Sequence, residues 1–159
     1  MNLRPCWYHG KESRDGLWQV DAAHPGVWLS STRVAACWYT GQSGAIVTAE
    51  LRTKEILDLR DTNTFTDAVR RAFPGRPLTQ IRRAHTTGNL YLLDDGAIQN
   101  ALVAEVFRTH AGVILRDRTD EHTHLSLVVQ NPEVLIVRSE QAMSSFGKIM
   151  PVQRRARHL

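Results

Sequence analysis

The tightest constraint on the fold is how two apolar runs near the start end. Cys6-Trp7-Tyr8 runs straight into His9 and Gly10, and Gly26-Val27-Trp28-Leu29 into Ser30 and Ser31. Apolar runs this short read as buried strands, and a following glycine breaks the strand. The first run brings an imidazole to a strand end beside a residue with no side chain, where a flat ligand can approach the main chain. The second brings two hydroxyls to a strand end, with a helix after them. A chain that begins this way builds a sheet whose strand ends carry polar groups.

The rest of the chain reads in order from there. Residues 5–9 form the first strand, residues 10–25 mostly loop, and Val27-Trp28-Leu29 the second strand. Ser31 or Thr32 caps a helix through Val34, Ala35, Ala36, Trp38 and Tyr39, which Gly41 and Gly44 stop. Residues 45–51 and 56–59 read as strands. Thr64-Phe65-Thr66-Asp67 opens a helix that ends before Pro74-Gly75. Residues 75–89 lack periodicity and read as an exposed segment with room for some helix. The clearest helix runs from Ala97 to His110, with Ile98, Leu102 and Val106 as its core stripe. Strands at 113–115, 125–129 and 134–137 close the domain, with Asn131-Pro132 as the turn between the last two. Strands and helices do not alternate as a doubly wound sheet requires, so the class is α+β, mixed and mainly antiparallel.

With 159 residues and a 42% hydrophobic share, the chain has material for one domain, 1–159, whose tail from about residue 140 is polar and basic and expected to fray. No apolar run is long enough for a membrane span, and the start has no apolar signal region. Two cysteines, Cys6 and Cys37, make no disulfide framework, so a reducing, cytoplasmic setting is expected, directly or after delivery into a target cell. The net charge of +4 is uneven: Arg70, Arg71, Arg76, Arg82 and Arg83 cluster mid-chain, and Lys148, Arg154, Arg155 and Arg157 load the end. Such clusters are most often solvated faces. They also suit an acidic protein, a nucleic acid or an anionic ligand such as a dinucleotide diphosphate, although no known nucleic-acid module accompanies them.

Taken together, Tyr8-His9-Gly10, then Gly26-Val27-Trp28-Leu29-Ser30, then a helix ending in Ala36-Cys37-Trp38-Tyr39, resemble the NAD-binding core of ADP-ribosyltransferases of the His-Tyr type. The interval from Gly26 to Tyr39 matches that of the poly(ADP-ribose) polymerases. The runs Gly112-Val113-Ile114 and Val128 to Ile136 are similar to the closing strands of small bacterial and phage members, anti-CRISPR members among them. The resemblance spans roughly residues 6–138 and implies a split antiparallel β core with flanking helices. It implies a mono-ADP-ribosyltransferase, an effector, toxin or phage counter-defence protein, that uses NAD to modify a macromolecule, most readily a protein, with a nucleic acid as the other acceptor class. A monomer is expected.

Carried over by position, His9 bonds the adenosine ribose, the main chain of Gly10 holds the carboxamide, and Tyr39 stacks on the cationic nicotinamide ring. Ser30 and Ser31 support His9 or a ribose. The family also needs a carboxylate beside the ribose as nicotinamide leaves, by the logic of glycoside cleavage. At the usual glutamate position this chain has Thr123-His124-Leu125. The nearest acids lie in what reads as a loop, Arg116 to Glu121. The resemblance to an anti-CRISPR member, in which an aspartate closely follows the equivalent of Gly112-Val113-Ile114-Leu115, favours Asp117; Glu121 is second, and Asp120 is the remaining candidate. The Glu/Gln-x-Glu pair of arginine-specific members is missing, so arginine is not the expected acceptor.

Three rival readings remain. His122-x-His124 with Asp120 or Glu121 would make part of a metal site but lacks a third ligand, so no metal is expected. A Cys6 or Cys37 hydrolase with His9 lacks any local signature. The missing glutamate also fits a catalytically inactive transferase fold that acts by binding a protein or nucleic acid.

Overall fold

The computed structural model describes residues 6–20, 22–119 and 122–143. Seven strands form one sheet: β1 Trp7–Lys11, β2 Val27–Ser30, β3 Ala45–Leu51, β4 Ile56–Asp58, β5 Gly112–Thr119, β6 His122–Val129 and β7 Leu135–Ala142. Their order is β4-β5-β6-β2-β1-β3-β7. Every neighbouring pair is antiparallel except β4 and β5. Four helices accompany them: α1 Arg33–Cys37, α2 Thr62–Ala72, α3 Thr79–Thr86 and α4 Ala97–Val106. The mixed α+β class holds. Among the described residues no helix is long and apolar enough to cross a membrane.

Chain length forces this sheet to curl. β3 and β4 stand five places apart in the strand order, yet only residues 52–55 join them. Five strand spacings of about 4.8 Å would be about 24 Å in a flat sheet, and that connection reaches about 18 Å fully extended. Curling brings the two ends together, so Ile56 of β4 shares one buried cluster with Ala49 of β3 and Leu135 of β7. Trp7, Val27, Leu29, Ile114, Leu127 and Val129 complete this inner cluster, and Trp18 from the β1–β2 loop packs against it. The outer face carries Val113, Leu115 and Val128, covered by Phe65, Val69, Ile81, Ile98, Leu102 and Val106 of α2, α3 and α4.

Several elements differ from the sequence expectation, each for a local reason. The helix after Ser31 is shorter. Thr32 caps it as expected, but Trp38, Tyr39 and Thr40 donate their N–H groups to carbonyls three residues back, and the Thr40 hydroxyl also donates to the Cys37 carbonyl. Tyr39 therefore sits in a tight turn beyond α1. The second helix starts earlier, because Asp61 caps it by accepting the Thr64 N–H at 2.9 Å. Residues 79–86, read as exposed, form α3, with Ile81 and His85 buried.

The expected acidic loop is strand. β5 and β6 extend to Thr119 and His122, and Asp117 stands opposite His124 in register. The burial of residues 116–119 alternates along the strand, but with charged and polar side chains, so no apolar pattern announces it. β1 meets β2 at the single position Tyr8–Ser30, whereas all five β1 residues pair with β3. Glu121 and Asp120, and the tail from residue 144, lie outside the described residues.

Candidate functional site

Where β1 parts from β2, the side chain of His9 fills the gap. Its Nδ1 lies 2.7 Å from the Trp28 carbonyl oxygen, and its Nε2 accepts the Gln19 N–H at 2.9 Å. An Nε2 that accepts leaves the proton on Nδ1, which then donates to Trp28; this tautomer follows from the hydrogen-bond network. The Trp18 ring meets the imidazole edge-on at 5.4 Å. Burial pushes the His9 pKa down, outweighing the Trp28 carbonyl, which favours the charged form. His9 is thus a neutral wedge joining β1, β2 and the loop after β1.

Gly10 faces the other side of the sheet. A Cβ there would lie 1.9 Å from the Ala36 carbonyl oxygen and 3.1 Å from the Tyr39 Cβ. The missing side chain is what lets the end of α1 seat on β1, and it brings Gly10 and Tyr39 together. Ser31 continues the β2–β6 pairing: its N–H donates to the Leu125 carbonyl, and its hydroxyl oxygen accepts the Leu125 N–H at 3.0 Å.

Ser30 belongs to a polar row on the outer face. Tyr8, Ser30 and Ser126 align across β1, β2 and β6. Alternation puts His124, and its partner Asp117, on the same face one step along. Asp117 is 2% exposed. Its Oδ2 accepts the Ser126 hydroxyl at 2.7 Å, and its Oδ1 accepts the Arg118 N–H at 2.8 Å. His124 Nε2 lies 3.8 Å from Oδ2 and 3.5 Å from the Ser126 oxygen. The end of α3 presses on the same strand: a Cβ on Gly88, which has φ +74°, would lie 2.7 Å from the Asp117 carbonyl oxygen.

The row therefore runs between α1, seated at Gly10, and the end of α3, seated at Asp117. It groups Ser30 with Asp117, leaves Gly10 and Tyr39 at the α1 side, and turns His9 to the inner face. Ser126 and His124 were missed as partners of Asp117. The available signal was the period of two in His124-x-Ser126 on a strand. Among the described residues, no three His, Cys, Asp or Glu side chains gather as a metal set.

The Asp117 carboxyl group, bonded by a hydroxyl and a main-chain N–H, is held in one orientation. It can stabilise a cation developing beside it.

No protein-family model matches the chain, and no curated protein matches it. Among solved structures the chain is similar to the crystal structure of an anti-CRISPR protein, with a TM-score of 0.45 and 10% identity, over 86% of this chain and 93% of the other.

Proposed function

We propose that the chain is a mono-ADP-ribosyltransferase that uses NAD to modify a macromolecular target, a protein of a host or competitor cell, in an effector, toxin or phage counter-defence role. The observation that carries this reading is Asp117, a buried carboxylate oriented by Ser126 and Arg118 on the same sheet face as Ser30. As the bond from nicotinamide to ribose breaks, positive charge builds on the sugar ring, and a carboxylate held nearby lowers that barrier without reorganising. Each Asp117 oxygen keeps a further lone pair for this purpose. Tyr39, in the turn beyond α1 with its Cβ close to Gly10, would supply the aromatic wall.

The fit to NAD is uneven. Ser30 and Asp117 suit a ribose and its developing charge. His9 reaches an adenosine ribose only if Gln19 and its loop move away, because both ring nitrogens are bonded to main chain. The space above the α-carbon of Gly10 is filled by the Ala36 carbonyl.

That second pair of observations favours the other reading, a transferase-like fold that works by binding a partner. Labelled NAD and a host lysate decide between them. Expected is label on a lysate component with wild type, and a loss of about a hundredfold or more with Asp117→Asn. No label and no released nicotinamide with wild type, under any condition, overturns the enzyme and leaves the binding module.

A further inference from the structure

A second surface, apart from the NAD reading, lies on α2 and α3. From Ala68 to Leu93 the chain contains five arginines and one histidine and no aspartate or glutamate. The structure folds this segment into neighbouring helices rather than spreading it. Arg82 of α3 reaches across to α2, where it donates to the Thr66 hydroxyl at 2.9 Å. Arg70 stands exposed one helical turn beyond Thr66 on α2. Arg76 follows just past the end of α2, its guanidinium 5.7 Å from the centre of the Phe73 ring. Arg83 is exposed on the next position of α3. Arg71 turns away toward Glu105, 3.8 Å from it, and Asp67 marks the acidic edge of the patch. Among the described residues no carboxylate forms an ion pair with Arg70, Arg76, Arg82 or Arg83.

Helix dipoles account for part of this. Arg70 and Arg83 stand in last turns, where a cation is favoured. Arg82 has its Thr66 bond and Arg76 its place over the Phe73 ring, but neither contact neutralises a charge, and four like charges on one segment repel. A partner that supplies negative charge removes that repulsion.

We infer that this face grips the phosphodiester backbone of a nucleic acid. The side chains are all guanidinium forks, which match the oxygens of phosphates and carboxylates in pairs. One observation favours a nucleic acid over an acidic protein. Stable protein interfaces are anchored by apolar side chains at their centre. The exposed large hydrophobic residues of the described chain are Val20, Val34, Leu92 and Val137, and none of them lies on α2 or α3. Phe73 is half-buried beneath Arg76, so no aromatic platform is offered to bases. The contact is therefore to backbone and indifferent to sequence.

Fluorescence anisotropy of the full chain with a 20-base-pair DNA duplex, and with a single strand of the same length, tests this. Four phosphate contacts give a slope of log affinity against log salt of about −3.6, or about a 150-fold weakening between 50 and 200 mM salt. Each single change of Arg70, Arg76 or Arg83 to Gln is expected to reduce the slope by about 0.9, and the fourfold variant with Arg82→Gln to abolish it. Thermal melting checks the folds. If Arg82→Gln fails to fold through loss of its Thr66 bond, the other three changes still carry the test. Three results overturn the proposal: no saturable binding at 50 mM salt, a poly-glutamate chain bound as tightly as the duplex, or binding kept in the fourfold variant and lost only when Arg154, Arg155 and Arg157 are neutralised.

Discussion

His85 couples α3 to the sheet through a neutral imidazole, and acid should undo that coupling. The ring is 4% exposed and stacks on Phe65 at 4.1 Å with 10° between planes. Its Nε2 accepts the Arg116 N–H at 3.3 Å. Burial, and then the Arg116 guanidinium, hold its pKa down at about 4, from an ordinary 6.5, against a smaller opposing pull from Asp58. Above pH 6.5 the ring is neutral in the folded and unfolded chain and contributes no pH dependence. Below it the unfolded chain takes the proton first, so stability falls by about 1.4 kcal/mol per pH unit until pH reaches about 4, where the folded ring also protonates.

The loss summed over that window is about 3 kcal/mol, or about 6–12 °C in melting temperature for a chain of this size. Carboxylates titrate there too, so the measurement is a difference. Urea unfolding at pH 7 and pH 4.5 is compared between wild type and His85→Phe, which keeps the stack on Phe65 and cannot titrate. The variant is expected to be less stable at pH 7 by about 1–2 kcal/mol, because the Arg116 N–H loses its acceptor, but to lose less on acidification. Equal acid losses in the two proteins, or a His85 resonance that titrates near pH 6.5, would refute the reasoning.

Three further outcomes follow from single contacts. Gly10→Ala places a methyl group against the Ala36 carbonyl and is expected to cost about 3 kcal/mol by unseating α1, read as a lower urea midpoint with an unchanged slope. Ser126→Ala removes the hydroxyl that holds Asp117 Oδ2 and is expected to cost about 1–3 kcal/mol in the same assay, with a drop in any NAD turnover. Asp61→Ala removes the cap of α2 and is expected to lower stability by about 1 kcal/mol.

Which parts of this molecule were legible depended on where their burial is written. The strand at 45–51 is spelled as a mostly apolar run and the core stripe of α4 as apolar residues four apart, and both appear as read. α3 is spelled Leu78, Ile81, His85, and a histidine counts as polar in such a pattern although here it stacks on Phe65 inside the core. The outer halves of β5 and β6 carry Arg116, Asp117, Arg118, His122 and His124, so their strand character comes only from pairing with each other. The early stretch was legible as a strand, but Gly10 does not break it: β1 runs on to Lys11, with Gly10 and Lys11 paired to Ile46 and Ala45 of β3, so His9 stands mid-strand. What the stretch could not reveal is that Trp28, Gln19 and Ala36, distant in sequence, fill the positions beside it.

Asp117 is the residue at which the proposed function can be tested apart from stability. It is a buried carboxylate with no arginine or lysine side chain paired to it among the described residues, and its two bonded donors are a hydroxyl and a main-chain N–H. A neutral amide of the same shape can satisfy the same neighbours. In Asp117→Asn, the amide oxygen accepts the Arg118 N–H, and the amide nitrogen donates to Ser126, whose hydroxyl turns from donor to acceptor. The hydrogen bonds at this position can therefore be kept without the carboxylate. The expected outcome is a variant as stable as wild type to within about 1 kcal/mol, or more stable, that has lost transfer from NAD. A loss of about 3 kcal/mol or more would instead show that the charge is structural, paired with His124 at 3.8 Å, and would take from Asp117 the role proposed for it.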